Sequence, residues 1–200
     1  MKKVFLFLLI FSFLFILGQA KENFIGKETS SIEKSALEKK AAIGTKRSDS
    51  DKEKIAEKKL EYIVTIETDK GNIVFKMFPE YAPNTVARIT ELIQQGFYDG
   101  LTFHRVVPGF VIQGGDPLGN GTGGTGVKLK AEFNELPHKT GTVGMARAAD
   151  PDSADCQFYI CLAPQPQLDR QYTVFGQVIE GLDIIQKIEK GDVMRKVTIK

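Results

Sequence analysis

Two runs of β-branched and aromatic residues, joined by turn-forming residues, begin the hydrophobic pattern of the C-terminal two thirds of the chain. Residues 62–68 read YIVTIET, and residues 73–77 read IVFKM. β-Branched and aromatic residues are enriched in strands. Asp69, Gly71 and Asn72 between the two runs favour a tight turn. The pattern therefore predicts a pair of strands at the start of this region.

A helix is predicted after this pair of strands. Pro83 has the fixed φ that suits a first helical position, and Gly96 is of the type that commonly ends a helix. Between them, apolar residues recur with the spacing of one helix face, at Val86, Ile89, Leu92 and Ile93. The pattern predicts an amphipathic helix.

The rest of the pattern predicts short strands and one more helix. The strands are predicted at residues 128–133, 142–146, 157–162, 172–178 and 195–199. The helix is predicted over residues 182–190, with Ile184, Ile185 and Ile188 facing inward. Many short strands with only two helices indicate a mainly β fold and favour an antiparallel barrel. Periodicity alone does not distinguish a barrel from a sandwich.

The first 20 residues have the pattern of a secretory signal peptide. A positively charged start is followed by an apolar core over residues 4–17 and by small residues at Gly18 and Ala20. A spanning helix usually needs about 20 apolar residues, so we expect cleavage after Ala20, with an uncleaved membrane anchor as the alternative. Either outcome predicts an exported protein of the periplasm or cell envelope, secreted or anchored by its leader.

Residues 21–61 have the composition of a charged spacer. They carry 11 Lys/Arg and 9 Asp/Glu, with no aromatic residue after Phe24. Such a segment buries too little apolar surface to offset the entropy cost of ordering. We expect it to be largely disordered or transiently helical, and a docking segment for a partner is the alternative.

Residues 62–200 are predicted to form one domain with one substantial core. They carry 14 Lys/Arg and 16 Asp/Glu, which gives a net charge of −2. A nucleic-acid-binding domain requires a basic patch on its surface. Nucleic acid is therefore not expected as a partner.

The densest group of chemically useful side chains lies in residues 103–117, which read FHRVVPGFVIQGGDP. Two apolar runs flank a Pro-Gly dipeptide, which is typical of a turn. Arg105 lies in the first run, and Phe110 and Gln113 lie in the second. A cation, an aromatic ring and an amide around an apolar surface suit a ligand with a carbonyl group and a compact apolar ring. An X-Pro peptide bond is such a ligand.

This segment closely resembles the signature of the cyclophilins, the peptidyl-prolyl cis-trans isomerases. The resemblance covers nearly all of residues 62–200 and none of residues 1–61. It includes the segments at residues 120–124, 144–148, 157–161, 168–169 and 174–176. It implies a closed eight-stranded antiparallel barrel capped by two helices. It also implies an isomerase of X-Pro bonds that assists the folding of exported proteins and uses no metal or other cofactor.

The resemblance implies a role for each matching residue. Arg105 would be the catalytic side chain, and Gln113 would steady it. The proline ring would be held by Phe110, Val111, Tyr159, Leu168 and Tyr172. The peptide would run beside Ala146, Arg147 and Ala148, and a neighbouring subsite would be shaped by Gly121, Thr122 and Gln157.

Several of these positions depart from the usual family pattern. Val111 replaces a methionine, Tyr159 a phenylalanine, Arg147 an asparagine and Tyr172 a histidine. Gln167 occupies the place of a rim tryptophan common in the eukaryotic branch, and this sequence contains no tryptophan. The departures imply a bacterial-type variant with altered subsite preference and weak binding of cyclosporin.

The sequence provides less support for a dinucleotide site, a zinc site or a disulfide. Residues 119–124 fit G-x-G-x-x-G, but a loop and a strand are predicted where a dinucleotide site needs a helix. His104 and His138 lack spaced partners for zinc, and we interpret His104 as a structural or groove-side residue. Cys156 and Cys161 would point to opposite faces of one strand, which predicts two buried or semi-buried thiols rather than a disulfide.

A cyclophilin-like binding module or holdase chaperone with little turnover is the functional alternative. The presence of Arg105, Phe110 and Gln113 favours the enzyme. We expect a monomer whose partners are proline-containing peptides and unfolded or folding proteins. Contact with a membrane is expected only if the leader stays uncleaved.

Overall fold

The computed structural model describes residues 61–200, so the predicted leader and nearly all of the predicted spacer lie outside the described residues. This part of the chain forms eight strands and two α-helices. In chain order they are β1 (Ile63–Thr68), β2 (Gly71–Met77), α1 (Pro83–Gln94), β3 (Arg105–Val107), β4 (Val111–Gly114), β5 (Thr142–Met145), β6 (Phe158–Cys161), β7 (Val174–Glu180), α2 (Leu182–Ile185) and β8 (Lys196–Ile199). The predicted mainly β class is confirmed.

All eight strands belong to one antiparallel sheet, which curls into a half-barrel with the order β3-β4-β6-β5-β7-β2-β1-β8. Within residues 61–200, the edge strands β3 and β8 do not pair with each other. The segments that precede them do meet, because Met194 N–H donates to Leu101 O (2.8 Å) and Phe103 N–H donates to Asp192 O (2.9 Å). The half-barrel is established, and full closure stays a prediction.

Helix α1 presents the predicted apolar face to the core. Its buried apolar residues are Val86, Ile89, Leu92 and Ile93. At its N-terminus, Ala82 offers no capping side chain. Instead, the carboxylate of Glu132 accepts hydrogen bonds from the backbone N–H groups of Asn84 (2.9 Å) and Thr85 (2.8 Å). A distant loop therefore satisfies helix donors that lack a local acceptor.

The prediction of a strand at residues 128–133 is wrong. Only Leu129 makes a bridge there, with Ala154. The N–H group of Ala131 donates to Asp152 Oδ1 (2.9 Å) instead of to a strand. Because side chains take the place of a partner strand, this stretch is a loop that crosses the surface.

The second helix is shorter than predicted. Helix α2 ends at Ile185, and the chain continues through turns to Lys190. Ile185 and Ile188 are buried, and Ile184 packs partly buried against the core, so the predicted inward residues are confirmed. Neither α1 nor α2 in the described part of the chain is long and apolar enough to cross a membrane.

Buried apolar residues form two separate clusters. The larger one contains side chains from the sheet and both helices, including Phe103 and Phe175. The smaller one consists of Val111, Tyr159 and Cys161, which lie on the adjacent strands β4 and β6. This second cluster supports the site described next.

Candidate active site

The β3–β4 hairpin places Arg105 directly opposite Gln113. Gly109 in the connecting turn has φ of 70°, which glycine adopts at little cost. The guanidinium of Arg105 donates from Nη1 to Gln113 Oε1 (3.3 Å) and lies 5.7 Å from the ring centroid of Phe110. Arg105 is exposed. The hairpin therefore holds a cation with further N–H donors facing solvent.

A chain of side-chain amides connects Arg105 to the glycine loop. Gln113 Nε2 donates to Gln157 Oε1 (3.0 Å), and Gln157 Nε2 donates to the carbonyl oxygens of Gly121 (3.2 Å) and Gly123 (2.8 Å). Arginine has donors only, so Gln113 presents its oxygen to Arg105 and its nitrogen to Gln157. The guanidinium thereby fixes the orientation of both amides.

A hollow of about 210 Å³, with an apolar floor and polar groups at its edge, lies beside the guanidinium. It is lined by Arg105, Phe110, Val111, Gln113, Ala146, Arg147, Tyr159, Leu168 and Tyr172. The structure thus brings together nine of the thirteen predicted site residues around one space. Its apolar wall and adjacent cation match a ligand with a compact ring and a carbonyl group.

A second hollow of about 270 Å³ adjoins the first. The remaining predicted residues line it, namely Gly121, Thr122, Ala148 and Gln157. Lys128, Ser153 and Asp155 line it as well. The sequence pattern did not predict these three, because they come from loops whose positions depend on distant contacts.

Two buried carboxylates hold the loops around the second hollow. Asp155 accepts hydrogen bonds from the N–H groups of Thr125 (3.0 Å) and Gly126 (3.0 Å). Asp116 accepts from Asn120 N–H (2.9 Å) and from two further backbone donors. Burial alone would raise the pKa of each carboxyl, but these donors outweigh it, and both pKa values lie below the usual value of 3.8.

Arg147 separates the two hollows and is fixed by several contacts. Its Nη1 donates to Ala148 O (2.9 Å), and its Nη2 donates to Gln171 O (3.0 Å). The guanidinium lies 4.5 Å from the ring centroid of Tyr172 and 5.9 Å from that of Phe133. Its contacts with both aromatic rings hold the Arg147 guanidinium in a fixed position between the two hollows. The pattern did not predict the part played by Phe133.

The rim of the first hollow is a one-turn 3₁₀ helix at Pro166–Leu168. Gln165 ties this turn to the hairpin, because its Nε2 donates to Gly109 O (2.8 Å). Gln167 is exposed, and its Nε2 donates to Gln165 Oε1 (2.7 Å). An amide pair therefore occupies the position where the resemblance implies a tryptophan in the eukaryotic branch.

Behind the hollow, Tyr159 is hydrogen-bonded to a histidine that the motifs did not indicate. Tyr159 Oη lies 2.9 Å from His138 Nε2, and His138 Nδ1 lies 2.8 Å from Asp169 Oδ1. The backbone N–H of His138 also donates to Asp169 Oδ1 (2.8 Å). These three polar groups form a continuous array under the apolar surface.

The remaining candidate residues are buried. His104 lies under the glycine loop, and burial lowers its pKa below the usual 6.5, which agrees with the predicted structural or groove-side position. Cys156 and Cys161 are free and buried, as predicted. Burial raises the pKa of each thiol to about 12, so neither is a reactive thiolate at neutral pH.

The glycine loop does not have the setting of a nucleotide site. Irregular backbone with a bend at Gly126 and a bridge at Leu129 follows residues 119–124, and the next helical segment is the single 3₁₀ turn at Pro151–Ser153. A dinucleotide site requires the loop to begin a helix. In the part of the chain that the structure describes, no group of three or more His, Cys, Asp or Glu side chains is placed to hold a metal ion.

Comparison with known proteins identifies the family. Residues 63–200 match the family described as "Cyclophilin type peptidyl-prolyl cis-trans isomerase/CLD". The chain belongs to the cyclophilin family. This cyclophilin is accordingly a peptidyl-prolyl cis-trans isomerase, as its sequence predicts.

Relatives and solved structures agree with this assignment. A peptidyl-prolyl cis-trans isomerase of Synechococcus elongatus is 49% identical over 67% of this chain and 93% of its own length. Isomerase B of Bacillus subtilis is 48% identical over 66% of this chain and 92% of its own length. A Cryptosporidium parvum cyclophilin, crystallised in the presence of the dipeptide Ala-Pro, has a TM-score of 0.65 at 30% identity and covers 69% of this chain and 98% of its own.

Proposed function

We propose that this cyclophilin isomerises X-Pro bonds of proteins outside the cytoplasm, with Arg105 as its catalytic side chain. The observation that carries the proposal is the guanidinium of Arg105, held by Gln113 beside a hollow with an apolar floor. The Cryptosporidium parvum relative crystallised with Ala-Pro supports a proline-containing peptide as the ligand. Unfolded and folding proteins would present such segments.

Prolyl isomerisation requires stabilisation of a twisted amide rather than a nucleophile. Rotation about the planar amide meets a barrier of roughly 18–20 kcal/mol. Turnover at about 10–1,000 per second requires lowering this barrier by very roughly 4–7 kcal/mol. Halfway through rotation, resonance is lost and the proline nitrogen gains a lone pair. A donor that contacts this nitrogen, or the carbonyl oxygen as it turns, binds the twisted state more tightly than the planar one.

The residues of the first hollow suit this task. Arginine keeps its charge and presents a planar set of donors, so Arg105 can follow either the nitrogen or the oxygen during rotation. Phe110, Val111 and Leu168 would grip the proline ring while the preceding carbonyl group rotates. Their apolar surface also withholds the water that stabilises the planar amide.

Replacing the catalytic side chain tests the proposal. Arg105→Ala is expected to lower kcat about 100-fold or more, as loss of a transition-state donor does. Peptide affinity is expected to change less than about threefold, because the hollow keeps its apolar wall. A protease-coupled isomerisation assay gives kcat, and titration calorimetry with the same peptide gives Kd.

Arg195→Ala is the control for this experiment. It removes an exposed arginine that pairs with Asp69 and lines neither hollow. This variant should keep the kcat and Kd of the wild type. Equal losses of kcat and affinity in Arg105→Ala would assign the arginine to binding and refute its catalytic role.

The remaining parts of the proposal concern the whole protein. The signal-peptide pattern of residues 1–20 supports export, and mature protein purified from the native cell should begin at Lys21. We also propose that the protein is a monomer, that residues 100–103 and 191–194 close the barrel, and that cyclosporin binds weakly. Protein from the native cell that still begins at residue 1 would contradict cleavage.

A further inference from the structure

The floor of the first hollow is a tyrosine whose polar end faces away from the ligand. Tyr159 is 5% exposed, and its ring lines the hollow. Its hydroxyl group lies 2.9 Å from Nε2 of His138, a residue that is 2% exposed. A phenylalanine would give the hollow the same apolar surface. The buried hydroxyl therefore has a role other than contact with the ligand.

The proton positions in the Tyr159–His138–Asp169 array follow from its partners. Asp169 accepts from the backbone N–H of His138 and from Nδ1, so Nδ1 carries a proton. When the ring carries only this proton, Nε2 is an acceptor, and the Tyr159 hydroxyl donates to it. Burial raises the pKa of Tyr159, so the phenol keeps this proton. Every buried polar atom of the array has a partner.

The array joins the floor of the hollow to Leu168, another residue that lines it. Asp169 directly follows Leu168, which lines the hollow. On the other side of the same turn, Gln165 N–H donates to His138 O (2.8 Å). His138 therefore binds both ends of the Pro166–Leu168 turn while its ring holds Tyr159. His138 thus helps to set the distance between Tyr159 and Leu168.

We propose that the Tyr159–His138–Asp169 array sets the width of the proline hollow and thereby selects the five-membered ring of proline over larger cyclic imino acids. Tyr159 touches the ligand, whereas His138 and Asp169 are positioning residues that act through Tyr159 and Leu168. The proposal rests on the assignment of the first hollow to the proline ring. If any hydrogen bond of the array is lost, Tyr159 and Leu168 are no longer held at a fixed distance, and the hollow then admits a larger ring.

Peptides with rings of two sizes test the proposal. X-Pro peptides are compared with peptides that carry pipecolic acid, the six-membered homologue of proline, in the full chain. Tyr159→Phe is expected to raise KM for the proline peptide about three- to tenfold with kcat within twofold. The ratio of kcat/KM for proline over pipecolic acid is expected to fall at least threefold. Titration calorimetry with both peptides gives the same ratio from Kd, independently of turnover.

Two further variants distinguish positioning from stability. His138→Leu should reproduce the loss of ring selectivity. His138→Gln should restore it, because the amide can donate to Asp169 and accept from Tyr159. Tyr98→Phe is the matched control, since it removes an equally buried hydroxyl that donates to Cys156 O (2.9 Å) and lines neither hollow. It should lower Tm while leaving ring selectivity unchanged.

Wild-type ring selectivity in Tyr159→Phe, by both kcat/KM and Kd, would overturn the proposal. So would equal loss of selectivity in Tyr98→Phe, because stability rather than the array would then set the width. These results are separate from the test of Arg105. A wild-type protein that turns over X-Pro peptides, together with an inactive Arg105→Ala, leaves the proposed function intact even if the array has no effect on ring size.

Discussion

At the scale of single residues, Gly144 packs closely against the ring of Tyr159. A Cβ atom at Gly144 would overlap the Tyr159 hydroxyl oxygen and would lie 2.5 Å from Cζ. Both contacts would be well below ordinary van der Waals distance. The ring of Tyr159 therefore occupies the space that a side chain at position 144 would need, and this lets its hydroxyl reach His138.

A methyl group added at Gly144 should displace the ring into the hollow. We expect Gly144→Ala to raise KM for an X-Pro peptide at least threefold and to destabilise the fold by about 1–3 kcal/mol, as overpacking of a core does. Steady-state kinetics and urea unfolding measure the two effects. An unchanged KM would show that the ring moves elsewhere than into the hollow.

At this scale the sequence predicts the residues that line the hollow better than the residues that hold the lining in place. Arg105 and Phe110 lie in one contiguous motif, so the family pattern locates them directly. His138 and Asp169 are 31 residues apart. His138 lies outside the matching segments, and the segment that contains Asp169 does not indicate its partner. An isolated polar residue in a loop carries no local sign of the partner that it meets after folding.

At the scale of elements, a pattern is reliable when the contacts that it predicts are local. Helix α1 has its own i to i+4 hydrogen bonds, and its apolar face was predicted correctly. A strand needs a partner from elsewhere in the chain. Residues 128–133 have strand-like composition, but Asp152 and Thr173 accept the N–H groups of Ala131 and Glu132. No local pattern reveals that these side chains take the place of a partner strand.

The cap that Glu132 provides to α1 should be measurable as stability. Glu132→Ala leaves the first turn of the helix without an acceptor, so we expect a loss of about 1–2 kcal/mol in the free energy of unfolding. Urea unfolding should show a lower midpoint with an unchanged slope. Glu135→Ala, which removes an exposed glutamate paired with Arg170, should change the midpoint little. Equal effects of the two changes would contradict a specific cap.

At the scale of the whole molecule, the division into leader, spacer and domain depends on composition. Residues 62–200 have the apolar content of a folded domain, and residues 63–200 match the family. The pattern favours many short antiparallel strands, but the choice of a barrel over a sandwich could be anticipated only through the resemblance, since periodicity fits a sandwich equally well. The absence of pairing between the edge strands β3 and β8 within residues 61–200 could not be predicted, because closure of the barrel depends on backbone contacts outside regular strands.

Buried ionisable groups predict how global stability depends on pH. Asp116, Asp155 and Glu132 have folded pKa values below their ordinary values of 3.8, 3.8 and 4.5, because hydrogen-bond donors outweigh burial. The stability that they contribute is complete above those ordinary values and is lost as the pH falls through the folded values. His104, whose pKa is lowered from 6.5 by burial, adds a loss in the same direction that begins near pH 6.5.

The free energy of unfolding should therefore be highest above pH 6.5, decline gently below it and fall steeply below about pH 4.5. Urea unfolding between pH 8 and pH 3 measures this curve. Asp155→Asn should lower the free energy of unfolding at neutral pH. It should also make that free energy fall less steeply below about pH 4.5, because the variant has one carboxylate fewer to protonate. A variant with the slope of the wild type would exclude Asp155 as a contributor.

The exposed amide of Gln167 at the rim has a practical consequence. The chain contains no tryptophan, so its intrinsic emission comes from tyrosine and phenylalanine alone. An indole introduced by Gln167→Trp would be a sole reporter at the mouth of the hollow, sensitive to each peptide that docks. Client occupancy could then be followed optically in real time, with no auxiliary protease and no dye.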